Sequence, residues 1–155
     1  MHAKLPGIFL ALLLSAAPVA AQWSVSDEES VMLEYGPAND KVFSVSCAKP
    51  FSDVVVVVPP GIKSAAKSVS LTVKEADNTR QLTLVSDVCG GETTCTDRGA
   101  GEVSTYGTQQ KGKTLALAIA DRAREFAIDA PGAKHVIKAD SKVFARFAAM
   151  CRKKK

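Results

Sequence analysis

Val31-Met32-Leu33-Glu34-Tyr35, Gly36-Pro37-Ala38-Asn39-Asp40 and Val42-Phe43-Ser44-Val45-Ser46-Cys47 follow one another as alternating, turn-forming and alternating segments. Period-two alternation places Phe43, Val45 and Cys47 on one face, and the Gly-Pro-Ala-Asn-Asp run is dense in residues that set turn geometry. This is a strand-turn-strand unit, and it sets the class for the rest of the chain. Five consecutive valines, Val54 to Val58, are closed by Pro59-Pro60-Gly61 and read as a buried strand by β-branched content and length. Val69, Leu71 and Val73 alternate with polar neighbours. The turn Ala76-Asp77-Asn78-Thr79 then leads into Gln81 to Val85, so a hairpin with one wet face is expected.

Between Asp87 and Gly112 the pattern fades into Gly, Thr and polar residues, with a short strand expected at Glu102 to Tyr106. A loop of that length inside a compact domain is functional or stapled. Thr114 to Arg124 carries both an alternation (Leu115, Leu117, Ile119) and many alanines; helix propensity favours a short helix there. Phe126, Ile128 and Ala130 alternate into Pro131-Gly132, with a return strand at His135 to Lys138. Asp140 or Ser141 caps a terminal helix whose apolar positions Val143, Phe144, Phe147, Met150 and Cys151 recur at helical spacing. The expected fold is α+β: a mostly antiparallel sheet or sandwich with a short helix near 114–124 and a C-terminal helix.

Residues 1–21 read as a signal peptide. Lys4 gives a positive start, Ile8 to Leu14 is apolar, and Val19 and Ala21 fit the small positions before a cut at Gln22. Seven apolar residues fall far short of the roughly 20 that span a bilayer. The mature product is therefore expected in the periplasm or outside the cell, as residues 22–151 in one β-rich domain followed by a basic tail at 152–155. It holds four cysteines, an even number in an oxidising compartment, which allows three pairings. Cys89 and Cys95 bracket Gly90-Gly91-Glu92-Thr93-Thr94, while Cys47 and Cys151 stand at the two ends of the domain, so Cys89–Cys95 and Cys47–Cys151 are expected. Neither the C-x5-C spacing nor a nearby His matches a metal knuckle, and no metal is expected.

The 155 residues hold 20 Lys+Arg against 16 Asp+Glu, a formal +4. One Lys lies in residues 1–21 and four cations lie in Arg152-Lys153-Lys154-Lys155, so Gln22 to Cys151 has 15 basic against 16 acidic residues, net −1. A near-neutral body argues against a nucleic-acid-binding face. Opposing it, Asp87, Glu92, Asp97 and Glu102 face Arg98 alone, a net −3 over 16 residues, which makes this loop the candidate partner-binding segment for a cationic partner.

Catalytic sets are sparse. His135 is the one His after residue 21, no Gly-x-Ser-x-Gly elbow occurs, and oxidised cysteines supply no thiolate. Gly99-Ala100-Gly101 lacks the strand and helix that a dinucleotide loop needs. Asp27-Glu28-Glu29 reads as a solvated approach to the fold, Trp23 as a packing residue, and the basic tail as a frayed end that suits a helix C-terminus.

The layout of a signal segment, Trp23, Leu33-Glu34-Tyr35-Gly36-Pro37, Cys47, the Cys89 to Cys95 loop, the segment Leu115 to Gly132 and Phe147 to Cys151 resembles small secreted proteobacterial proteins, the group that includes invasion-associated locus B proteins. The resemblance spans nearly all of the mature chain. It implies a β-rich periplasmic domain with flanking helices and no catalytic centre, and it transfers no binding residue; the loop here is longer than that group would suggest. The expected activity is therefore non-catalytic: a monomeric binding or accessory protein of the bacterial envelope, with host interaction among the roles this allows, a protein or envelope component as partner and no cofactor. Two alternatives stand beside it: inhibition of a lysozyme-type hydrolase, and a small hydrolase using converging carboxylates.

Overall fold

A computed structural model describes residues 20–37, 41–58, 68–86, 104–130 and 133–154. It contains nine strands and two helices: β1 (Gln22–Asp27), β2 (Val31–Gly36), β3 (Phe43–Cys47), β4 (Phe51–Val58), β5 (Ser68–Glu75), β6 (Thr79–Ser86), β7 (Ser104–Lys111), α1 (Thr114–Arg122), β8 (Ala123–Ala130), β9 (Ala133–Lys138) and α2 (Ser141–Lys153). The strands form a single sheet in the order β1-β2-β3-β4-β7-β6-β5-β8-β9. Every pairing is antiparallel.

The sandwich expectation is corrected by that continuity. One sheet curls into a half-barrel instead of two sheets stacking, so residues far apart in strand order meet across its hollow face. The Phe43 ring of β3 lies 4.9 Å from the Phe126 ring of β8, centroid to centroid. Trp23 is the closing element. Its ring lies 5.1 Å from Tyr35, 5.9 Å from Phe43, 5.7 Å from Phe126 and 4.8 Å from Phe144, and its Nε1 donates to the Lys138 carbonyl at 2.6 Å. One side chain thus ties the first strand to the last and to α2. At the middle of the sheet the link is short: among the described residues β6 and β7 pair only at Val85 with Gly107 and Ser86 with Tyr106.

Local sequence explains most elements. Period-two patterning buries Val31 and Leu33, Phe43 and Val45, Val69, Leu71 and Val73, and Phe126 and Ile128 on the hollow face. The valine run forms the expected strand, buried on its inner face. Val54 and Val56 are fully buried while Val55 and Val57 are half-buried, because the other face of the sheet carries no second layer among the described residues. Gly112 has φ +73 and donates its N–H to the Pro50 carbonyl at 2.7 Å, ending β7 and turning the chain into α1.

Helix α1 stops at Arg122 instead of Arg124. Ala123 takes extended angles and starts β8 by pairing with Glu75, so sheet pairing overrides the propensity of the alanine run. Helix α2 begins as expected: Asp140 Oδ1 accepts from the backbone N–H groups of Lys142 and Val143 at 2.9 and 3.1 Å. Its buried positions Phe144, Phe147, Ala148 and Cys151 cover the hollow face beside α1. The chain end is not a frayed tail up to Lys154. Arg152 and Lys153 belong to α2, Arg152 Nη2 donates to both carboxylate oxygens of Asp121 at 2.7 Å, and Lys154 pairs with Asp27 at 2.7 Å. Lys113 Nζ donates to the carbonyls of Cys151 and Lys154, putting an ammonium on the negative end of the helix.

Two strands were not expected at their observed extent. β1 incorporates Asp27, which the sequence placed in a solvated approach. β7 runs over Ser104–Lys111 where a short strand at 102–106 was anticipated. No helix among the described residues is long and apolar enough to cross a membrane.

Candidate functional site

Cys47 ends β3 on the hollow face, and Cys151 sits on the inner face of α2. They form a disulfide with Cα atoms 5.7 Å apart, and both residues are fully buried. This is the long bridge expected from sequence. Cys89 and Cys95 lie outside the described residues, as do the four acids of the candidate partner-binding loop, Asp87, Glu92, Asp97 and Glu102. The flanks of that loop are placed: Ser86 closes β6, Ser104 opens β7, and these strands are neighbours in the sheet.

A second candidate surface emerges from strand register. On the outward face of β6, β5, β8 and β9, three cross-strand rows line up: Thr83–Ser70–Asp129–Lys134, Gln81–Thr72–Ala127–Val136 and Thr79–Lys74–Glu125–Lys138. The first and third rows are closed by ion pairs, Lys134 to Asp129 at 3.5 Å and Lys74 to Glu125 at 2.7 Å. In the middle row the small Ala127 lies between Thr72 and Val136. The result is a depression of about 510 Å3 lined by Ser70, Thr72, Gln81, Asp129, Lys134 and Val136 among others. It offers hydroxyls, an amide, a carboxylate and an ammonium around a small apolar floor, a mixture that suits recognition of a polar surface.

Sequence reasoning missed this face. Val136 is 68% exposed, while its neighbour Ile137 is buried. The period-two register that separates them was the available signal. His135 lies in the expected return strand, β9, which is an edge of the sheet. Its Nε2 is buried with no hydrogen-bond partner among the described residues.

A third feature is a depression of about 400 Å3 at the β5–β6 turn, lined by Glu75, Asp77, Asn78, Asp121, Arg122 and Arg124 among others. Three carboxylates share it, but two are committed: Glu75 pairs with Arg80 at 2.9 Å and Asp121 with Arg152. Ion-paired carboxylates at this spot act as structural links between the turn, α1 and α2. Among the described residues no cluster of three or more His, Cys, Asp or Glu is arranged to hold a metal ion.

Comparison of the chain with protein-family models, curated proteins and solved structures finds no match.

Proposed function

We propose that the mature chain is a non-catalytic binding or accessory protein of the bacterial envelope, exported to the periplasm or beyond. The observation that carries this reading is the buried Cys47–Cys151 disulfide, which fastens the last helix to the third strand. A bond of this kind persists in an oxidising compartment and is rare in a reducing cytosol. The address agrees with the reading of residues 1–21 as a signal peptide. The resemblance to the invasion-associated locus B group supports a partner among envelope or host components.

The binding surface in this reading is the outward face centred on Ala127, with Thr72, Gln81 and Val136 around it. Purified mature protein is used to capture partners from envelope extracts beside the Ala127→Arg variant, which fills the depression without touching the core. A partner retained by the native protein and lost by the variant is the expected result. Equal capture by both, or turnover of a substrate without a stable partner, overturns the reading.

A second reading is favoured by the tethering of the 87–102 segment, net −3, between two adjacent strand ends. Such a segment suits a cationic lysozyme-type hydrolase, with Asp87, Glu92, Asp97 and Glu102 as contacts. Micromolar protein that leaves a lysozyme turbidity assay unaffected ends that reading.

A further inference from the structure

Helix α2 contains four cations, Lys142, Arg146, Arg152 and Lys153, and no acid. Arg152 is taken up by Asp121, and Lys154 just beyond the helix by Asp27. Among the described residues, the side chains of Lys142, Arg146 and Lys153 make no hydrogen bond or ion pair. At 100° per residue these three fall within an arc of about 40° that lies opposite Phe144, Phe147, Ala148 and Cys151, and they span roughly 16 Å along the helix axis. The exposed residues between and beside them are Ser141, Ala145, Ala149 and the Asp121-paired Arg152.

The placement works against the helix itself. Lys142 stands in the first turn, where the helix dipole disfavours a cation, and it is four residues from Arg146, a like-charge spacing that destabilises helices. An acid at 142 would serve stability better. The strip therefore concentrates an outward positive field at a local cost, the pattern expected where function overrides a local rule.

The chemistry of the face selects the occupant. It has no exposed aromatic or branched apolar side chain that could fill a pocket, which a protein partner would use as an anchor. It has no wedge to insert among acyl chains either. A straight row of point charges among small and polar side chains matches a plane of phosphates. We propose that the outward face of α2 adsorbs the protein onto a bilayer leaflet rich in anionic lipid headgroups, through Lys142, Arg146 and Lys153.

The test is co-sedimentation of the mature, oxidised protein with vesicles of phosphatidylglycerol and phosphatidylcholine at low salt, against vesicles of phosphatidylcholine alone. Binding to the anionic vesicles only, released by added salt, is expected. A near-surface cation contributes about five-fold to partitioning, so the triple variant Lys142→Gln, Arg146→Gln, Lys153→Gln should lose roughly 100-fold. A second triple variant, Lys41→Gln, Lys49→Gln, Lys111→Gln, makes the same change in net charge outside both surfaces and should retain binding; thermal melts check that both variants are folded. Failure of the native protein to bind anionic vesicles overturns the proposal, as do equal losses in the two triple variants or tighter retention on polyglutamate than on vesicles. Ala127→Arg leaves this strip intact, so the sheet-face reading and the helix-face proposal fail separately.

Discussion

Replacing Trp23 by Ala removes the one side chain that spans from β1 to β9 and α2. Its ring has four aromatic neighbours at 4.8 to 5.9 Å, and its Nε1 holds the Lys138 carbonyl. Large-to-small replacement of a packed Trp costs roughly 3 to 5 kcal/mol, and a hydrogen bond of this type nets about 1 kcal/mol. With the ring half-buried, a loss of about 4 kcal/mol is expected for Trp23→Ala and about 1 kcal/mol for Trp23→Phe, which keeps an aromatic ring and loses the donor. A domain of roughly 130 residues unfolds with an entropy of about 0.28 kcal/mol per kelvin, so the melting temperatures should fall by about 14 °C and about 4 °C. Urea titration followed by far-UV circular dichroism measures both, since Trp23 is the only Trp and its fluorescence is lost in the variants. A loss below about 1 kcal/mol in Trp23→Ala would refute the closing role. Equal losses in the two variants would refute ring packing as its source, leaving the hydrogen bond alone.

Breaking the Cys47–Cys151 bridge by reduction or by the paired change Cys47→Ala, Cys151→Ala should cost about 5 kcal/mol in the chain-entropy treatment, for a sequence separation of 104, read by denaturant midpoints with and without reductant. Asp140→Ala, which frees the N–H groups of Lys142 and Val143, should cost about 1 kcal/mol and lower the melting temperature by 3 to 4 °C, with Asp140→Asn nearly neutral. His135→Leu removes a buried nitrogen that has no partner and should stabilise the protein by up to about 1 kcal/mol in the same titration; a loss of similar size would mean that the ring nitrogen is satisfied in solution. Val136→Asp should leave stability within about 0.5 kcal/mol, because the side chain is solvent-exposed on the outward face, while weakening capture of a sheet-face partner.

The hairpins were legible because each is local: β2–β3, β5–β6 and β8–β9 alternate on both sides of a turn written in Gly, Pro, Asn or Asp. The long disulfide was legible too, since strand periodicity aims Cys47 inward and helical periodicity does the same for Cys151. β7 was largely hidden because Ser-Thr-Tyr-Gly-Thr-Gln-Gln-Lys has one large apolar side chain, Tyr106; its strand state is imposed by eight registered pairs with β4. β1 was hidden because only Trp23 and Val25 mark its inner face. The choice between one curled sheet and a sandwich depends on β4 meeting β7 and β5 meeting β8, pairings between distant segments that no local pattern announces. The acidic segment drew attention through its charge. The outward face around Ala127 did not, because Ser70, Thr72 and Gln81 look like any solvated alternation until register puts them side by side.

The contact between Trp23 and the Lys138 carbonyl joins residues 115 positions apart, and the Trp23–Phe144 contact reaches further still. During synthesis from the N-terminus, the apolar faces of β2, β3 and β4 therefore emerge long before the residues that cover them. The nascent chain must carry Leu33, Phe43 and Val54 exposed until α2 arrives, which creates a window for aggregation and a demand for a holding chaperone. Maturation of this protein is thus tied to completion of its last helix, and a chain cut short just before that helix should be cleared by proteolysis instead of persisting as a partly folded product.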